Sequence, residues 1–201
     1  IGVPLDITEV ERKAVADAVI GAGAREVFLI EESMAAAIGA RLPIQEPIGN
    51  LVINMGGGIT EISTISLGGV VTFKSMPVAG YEMDRTIVQL LREQYNLLIG
   101  DQVAEQVKIR IGSAAPLEEN LTMEVRGRDL VTGLPREQRV TDKEIREALS
   151  RPVKIILEGI KDTLESTPPE LVADIYERGV VLTGGGALLR GIDRAISSTT
   201  G

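Results

Sequence analysis

Two runs of three glycines are the segments of this sequence best suited to bind an anion. Gly56–Gly58 and Gly184–Gly186 each follow a short apolar segment. Glycine adopts positive φ easily and lets backbone N–H groups approach a phosphate closely. Neither run belongs to a Walker A sequence or matches the dinucleotide fingerprint G-x-G-x-x-G. Tight turns between packed elements are the alternative, but two such runs after apolar segments favour phosphate binding.

Charged side chains at two places are the candidates for chemistry beyond backbone amides. Glu31 and Glu32 follow the apolar run Val27–Ile30, which places both carboxylates at a predicted strand-to-helix junction. Lys108 lies on a predicted helix that ends at Ile111. The simpler interpretations are acidic partners of a helix dipole for the glutamates and a surface position for the lysine.

The composition excludes several classes of activity. The 201 residues contain no His, Cys or Trp, so imidazole bases, Ser-His-Asp triads, thiol nucleophiles and zinc thiolate sites are absent. A formal net charge of -8 argues against a nucleic-acid surface. Chemistry must therefore come from carboxylates, backbone amides, hydroxyls, Lys, Arg or a recruited metal ion.

The N-terminal part of the chain predicts a helix, a strand and a second helix. Thr8 and Glu11 form a capping box before a helical pattern. Val27–Ile30 is typical of a strand buried on both faces, and Met34–Ala40 predicts a helix. A β meander follows, with a hairpin turn predicted at Gly68–Gly69.

Beyond Gly80 the pattern is mainly helical. Met83–Tyr95 and Asp101–Ile111 predict helices, and residues 113–140 predict a small exposed α+β insertion. A second capping box, Thr141–Glu144, begins a long helix that we expect to bend at Pro152. The last predicted elements are a buried strand at Val180–Thr183 and a helix start at Ala187–Leu189. Strands that alternate with helices indicate the α/β class.

At these motifs the sequence resembles MreB, the family of bacterial actin homologues, over essentially its whole length. The resemblance is carried by the following segments: Phe28–Glu32, Met34–Gly39, Gly56–Gly58, Ala104–Lys108, Pro168–Leu171 and Leu182–Leu189. It implies an actin-like ATPase (ribonuclease H-like) fold, in which helices flank a mixed sheet and a small α+β subdomain is inserted. It also implies an ATP-binding cleft between two lobes, with Mg²⁺ as the accompanying ion.

The resemblance also assigns subdomains. Residues 1–48 match the end of subdomain IA, 49–80 and 147–201 match subdomain IIA, and 81–146 match subdomain IIB. The chain begins without Met and stops in a polar segment, so we expect an internal fragment of a longer protein. On this interpretation the first phosphate loop lies outside the sequence and the nucleotide cleft is incomplete.

The site residues carry over position by position. Glu32 matches the carboxylate that positions the attacking water, and Glu31 matches a less constrained acidic position. The positions that match nucleotide-binding residues are Gly56, Gly57, Gly58, Glu105, Gln106, Val107, Lys108, Gly184, Gly185, Gly186 and Ala187. No position is assigned as a direct metal ligand.

Several departures from the family pattern cluster around the implied nucleotide. Asn54 stands where an Asp is expected near hydrated Mg²⁺, and Ile59 stands where a Thr hydroxyl is expected. Ser33 replaces a Pro, Tyr81 replaces an Asp, and Arg110 replaces a Glu. These changes suggest weakened hydrolysis, because hydrolysis depends on a positioned water and metal, whereas backbone cradles do not depend on those side chains.

Three functions follow from these observations. The first is a cytoskeletal protein that binds ATP and forms membrane-associated filaments controlling rod cell shape and cell-wall elongation. The second is a pseudo-ATPase of the same fold that acts as a structural filament or adaptor. The third is a small-molecule phosphotransferase, although the sequence contains no recognisable sugar pocket. The implied partners are other copies of the chain, the cytoplasmic face of the membrane and cell-wall elongation proteins, but not nucleic acid. The implied location is cytoplasmic, with membrane association in the full-length protein.

Overall fold

A computed structural model describes residues 1–200 and divides the chain into two compact units. The first unit contains Ile1–Met55, Thr60–Met76 and Asp162–Thr183. The second contains Gly56–Ile59, Pro77–Lys161 and the residues from Gly184 onward. The chain passes from the first unit to the second at the beginning of each glycine run.

The first unit begins with a small parallel pairing and two helices. Strand β1 (Gly2–Val3) pairs with β2 (Ile30–Glu31), helix α1 spans Glu9–Gly21, and α2 spans Glu32–Gly39. The capping box of α1 is confirmed, because the Thr8 side chain accepts from the Glu11 amide and Glu11 accepts from the Thr8 amide.

The prediction of a strand buried on both faces at residues 27–30 is wrong. Only Ile30 belongs to β2, and the Phe28 side chain is 77% exposed. The physical reason is that β2 has one partner, β1, which is only two residues long. Sheet neighbours that would cover Phe28 are therefore absent among residues 1–200.

A mixed four-stranded sheet forms the centre of the first unit. Its strands are β3 (Asn50–Met55), β4 (Thr60–Ser66), β5 (Gly69–Met76) and β9 (Val180–Thr183), in the order β5-β4-β3-β9. The β3 strand is antiparallel to β4 and parallel to β9. Helix α2 packs on β3 and β4, and helix α6 (Pro169–Arg178) packs on β3. The predicted strand at 180–183 is confirmed, although its residues are half-buried rather than buried.

The hairpin between β4 and β5 turns one residue earlier than predicted. Ser66 pairs with Gly69, so Leu67 and Gly68 form the loop, and both have positive φ, at 50° and 75°. Two such residues match the twist of the flanking strands. Gly69 belongs to β5 instead of the turn.

The second unit combines helices with a three-stranded sheet. Its elements are α3 (Gly80–Tyr95), β6 (Leu97–Leu98), α4 (Asp101–Ile111), β7 (Thr122–Asp129), β8 (Pro135–Thr141) and α7 (Ile192–Thr200). The sheet order is β6-β7-β8, and each neighbouring pair is antiparallel. The unit combines helices and strands as expected, but residues 113–140 themselves contain only the hairpin β7–β8 and no helix.

Helix α5 (Asp142–Ser166) contributes residues to both units, because their boundary falls between Lys161 and Asp162. It begins at the predicted capping box, where Thr141 and Glu144 each accept a backbone amide of the other. The helix is continuous through the buried Pro152. No helix among residues 1–200 is long and apolar enough to cross a bilayer.

Candidate functional site

A cavity of about 380 Å³ within the second unit contains much of the predicted nucleotide-binding set. This volume lies in the range of small-molecule sites. The predicted residues that line it are Gly56, Gly57, Glu105, Lys108, Gly185 and Gly186. The predicted residues that do not line it are Gly58, Gln106, Val107, Gly184 and Ala187. Val107 is fully buried, because α4 turns this side chain inward.

The first glycine run forms a turn that is fixed to the start of α3. The Gly56 amide donates to the Ile59 carbonyl oxygen at 2.9 Å. The amides of Gly80 and Tyr81 donate to the carbonyl oxygens of Gly56 and Gly57, at 3.1 and 2.8 Å. Gly57 and Gly58 donate to no acceptor within the described part of the chain. These two amides are therefore available to a ligand oxygen, whereas the Gly56 amide is not.

The second glycine run leads into a single short turn and not into an α-helix. Gly185–Leu188 is a 3₁₀ segment, and Gly184 before it has a φ of 82°, which glycine adopts without strain. The predicted helix start at residues 187–189 is therefore wrong, since the next α-helix begins at Ile192. Consecutive glycines and the positive φ favour the tighter turn. The partial positive charge that the N-terminus of a long α-helix would place here is therefore absent.

Lys108 is held in place by α3 and does not extend along the surface. Its Nζ donates to the Gly80 carbonyl oxygen at 3.0 Å and to Asp84 Oδ2 at 2.9 Å. The side chains of Lys108 and Asp84 are only 15% and 7% exposed. Burial raises the pKa of Asp84, and the bond and charge of Lys108 oppose that rise. The simpler interpretation of Lys108 as a solvated surface residue is wrong.

The predicted catalytic carboxylate, Glu32, belongs to the first unit. It starts α2, and its Oε2 accepts a hydrogen bond from Asn54 Nδ2 at 3.1 Å. Asn54 and Glu61 are directly opposite each other on β3 and β4. The Asn54 side chain thus supplies a donor to Glu32 at a position where an Asp would add a second negative charge.

Glu61 is a fully buried carboxylate in the same network. Its Oε1 accepts from the Leu5 amide at 2.7 Å, and its Oε2 accepts from Ser33 Oγ at 3.4 Å. Burial raises the pKa of Glu61, and the nearby charges of Glu32 and Asp6 raise it further, against the lowering effect of those two hydrogen bonds. The network joins the N-terminal segment, α2 and the sheet of the first unit.

Several residues of these two sites were not predicted from sequence. In the cavity they are Gly80, Tyr81, Met83, Asp84, Ile109, Leu188, Leu189 and Arg190. Asp84 and Lys108 are on different helices, so no local spacing indicates their pairing. Glu61 did carry a signal, because a lone charge within the β-branched run of β4 requires buried partners.

The cavity residues fit a nucleotide. Free glycine amides suit phosphate oxygens, and the side chains of Ile109, Leu188 and Leu189 offer apolar contact for a base. The described residues contain no cluster of three or more Asp, Glu, His or Cys side chains that could hold a metal ion by themselves. Any Mg²⁺ would therefore need oxygen ligands from the nucleotide or from water.

Comparison with known proteins identifies the family. The family model described as MreB/Mbl protein matches residues 1–201. The cell shape-determining protein MreB of Escherichia coli (strain K12) is 51% identical over 199 residues, which cover 99% of this chain and 57% of that protein. The chain thus spans little more than half the length of this relative.

Two solved structures are similar over nearly the whole chain. The crystal structures of MreB5 of Spiroplasma citri bound to AMPPNP and to ADP give TM-scores of 0.94 and 0.95, both at 40% identity. Each match covers 98% of this chain and 59% or 60% of the solved chain. The expected actin-like architecture is confirmed. The chain belongs to the MreB/Mbl family and has an actin-like fold.

Proposed function

We propose that these residues form part of a cell-shape protein that binds ATP and assembles into filaments. The observation that carries the proposal is the cavity of the second unit, where glycine turns, Lys108 and apolar side chains meet. The name of the Escherichia coli relative, a cell shape-determining protein, supports the cellular role. The MreB5 structures bound to AMPPNP and ADP support an adenine nucleotide as the ligand.

In this proposal the backbone holds the phosphates. The free amides of Gly57 and Gly58 donate to phosphate oxygens, and Gly185 and Gly186 leave room for the ligand. Lys108 keeps α4 fixed against α3, and Glu105 offers a carboxylate to the ribose hydroxyls. Mg²⁺, when bound with the nucleotide, supplies charge neutralisation at the phosphates.

The remaining functional assignments extend the same proposal. Residues 1–48 form the end of subdomain IA, 49–80 and 147–201 form IIA, and 81–146 form IIB. The polymer consists of copies of the same protein, attached to the cytoplasmic face of the membrane and to cell-wall elongation proteins. In the complete protein, Glu32 is the carboxylate that orients water for hydrolysis.

Calorimetric titration with ATP tests the binding proposal in the complete protein. A Cβ added at Gly185 meets no described atom within 4 Å, so Gly185→Val should fold normally while its side chain occupies cavity space. We expect ATP affinity to fall at least about tenfold. Gly69→Val is the matched control, because Gly69 also has open space but lies on β5. Absence of ATP binding by the unmodified protein, or equal affinities in both variants, contradicts the proposal.

A catalytically weakened pseudo-ATPase is the second candidate, and the hydrogen bond from Asn54 to Glu32 favours it. A carboxylate that already accepts this bond has less capacity to orient a water. Phosphate release and pelleting of polymer distinguish the two candidates in the complete protein. A pseudo-ATPase binds ATP and forms polymer without releasing phosphate, whereas an active protein releases phosphate as it polymerises.

A further inference from the structure

Tyr81 makes two separate contacts with the first glycine run. Its amide donates to the Gly57 carbonyl oxygen at 2.8 Å. Its ring covers the α-carbon of Gly57, because a Cβ added there would lie 2.9 Å from Cζ, 3.1 Å from the hydroxyl oxygen and 3.2 Å from Cε2. Both residues line the cavity. The Tyr81 phenol can therefore occupy this part of the cavity wall only because Gly57 has no side chain.

The Tyr81 side chain is mostly exposed to solvent and does not belong to the hydrophobic core. It is 64% exposed, and its hydroxyl has no hydrogen-bond partner within the described part of the chain. Tyr95 shows the contrast, because it is half-buried and its hydroxyl donates to Glu144. A large ring that stays exposed on a cavity wall, with an unused donor, is suited to contact a ligand.

The polar groups near Tyr81 indicate which part of a ligand the Tyr81 hydroxyl would contact. Gly57, whose amide has no acceptor in the described residues, lies directly against the Tyr81 ring, so the phenol adds a second donor beside this amide. Asp84, the buried acid of this wall, is paired with Lys108. Neutral donors without an unpaired buried acid favour an anionic oxygen as acceptor.

We propose that the Tyr81 hydroxyl donates to a phosphate oxygen of the bound nucleotide. The inference rests on the proposed nucleotide site and adds a chain-specific contact to it. The phenol contributes a donor without the negative charge that an Asp at this position would carry. Tyr81 therefore favours nucleotides with phosphates over the free nucleoside.

Binding measurements with paired ligands test this contact in the complete protein. In Tyr81→Phe we expect ATP affinity to fall about tenfold, because a hydrogen bond to a charged group is lost while the ring remains. Adenosine affinity should change less than about twofold. Inorganic phosphate, titrated alone, distinguishes a general phosphate contact from one that requires the nucleoside. Tyr176→Phe is the control, since Tyr176 is 78% exposed on α6 and outside the cavity.

Three outcomes overturn the inference while leaving the nucleotide site intact. They are equal ATP affinity of Tyr81→Phe and the parent, equal loss for ATP and adenosine, and tighter ATP binding by Tyr81→Ala, which would make the ring an obstruction. If the parent binds no ATP, the proposed function itself fails. The two failures are therefore distinguishable.

A double-mutant cycle supplies a structural readout. Gly57→Ala places a Cβ against the Tyr81 ring, so it should weaken ATP binding more in the parent than in the Tyr81→Ala background. Additive effects in the cycle contradict contact between the Tyr81 ring and position 57 in the bound state.

Discussion

The two candidate sites differ in how their polar groups are satisfied. In the first unit, Glu32 accepts a hydrogen bond from Asn54, and Glu61 accepts hydrogen bonds from Ser33 and the Leu5 amide. The donors of this group are therefore used within the protein. In the second unit, the amides of Gly57 and Gly58 and the exposed phenol of Tyr81 remain without partners in the described residues. The donors of the first site are already engaged by its own carboxylates, whereas donors of the second site are free to meet a ligand.

Under the proposed function, this difference means that nucleotide binding and hydrolysis would depend on different kinds of groups. The donors of the second unit are mainly backbone amides, which persist through most substitutions. The network of the first unit is built from side chains, and one residue, Asn54, changes the charge around Glu32. Under the proposed function, nucleotide binding would therefore tolerate side-chain substitutions better than hydrolysis.

The largest expected effect comes from removing the buried cation of the second unit. Lys108→Met leaves Asp84 in a site that is only 7% exposed, so we expect the free energy of unfolding to fall by about 3 kcal/mol. Urea unfolding measures the change. Lys154→Met is the control, because Lys154 and Glu158 form an exposed pair at 3.7 Å, whose loss should cost less than about 0.5 kcal/mol. Equal losses of unfolding free energy in the two variants would mean that the pair Lys108–Asp84 contributes no more to stability than an exposed ion pair.

An intermediate effect is expected from opening the network of the first unit. Asn54→Asp removes the donor to Glu32 Oε2 and adds a negative charge beside Glu32 and Glu61. We expect a loss of about 1–2 kcal/mol at neutral pH, because a hydrogen bond is lost and like charges are brought together. Asn120→Asp adds the same charge at an exposed loop position before β7 and serves as the control. If Asn54→Asp does not change the free energy of unfolding, the hydrogen bond from Asn54 to Glu32 contributes nothing to stability.

The smallest effect is a change in pH dependence. Burial raises the pKa of Glu61 in the folded chain above its ordinary value of 4.5, so the folded state holds its proton more tightly than the unfolded state. The parent therefore loses this contribution to stability as pH rises from about 4.5 through the folded-state pKa. Glu61→Gln cannot titrate, so its stability relative to the parent should increase across that window. Urea unfolding at several pH values measures the difference, and a constant difference would refute the expectation.

The fold was largely predictable because its signals are local. Capping boxes at Thr8 and Thr141 and the apolar runs of β3 and β9 mark element boundaries directly. Phe28 was mispredicted because an apolar run indicates a buried strand without showing which partners are present to cover it. Strand burial depends on neighbours distant in sequence.

Four glycines of the candidate site, Gly56, Gly57, Gly185 and Gly186, were predictable, and its side-chain pairings were not. Glycine runs after apolar strands carry their own conformational signal. The bond between Lys108 and Asp84 joins two helices, and the contact of Tyr81 with Gly57 depends on a side chain that glycine lacks. Both arise from tertiary packing, which residue spacing does not encode.

The turn between β4 and β5 also bears on how this protein can change over evolutionary time. Leu67 is 69% exposed and adopts a left-handed conformation that costs a side chain with a Cβ roughly 1 kcal/mol. Glycine or asparagine would adopt it with less strain, and the hairpin is outside the cavity of the second unit. Replacing Leu67 by glycine or asparagine would therefore increase the stability of the fold. That gain would offset a destabilising substitution elsewhere without altering the cavity of the second unit.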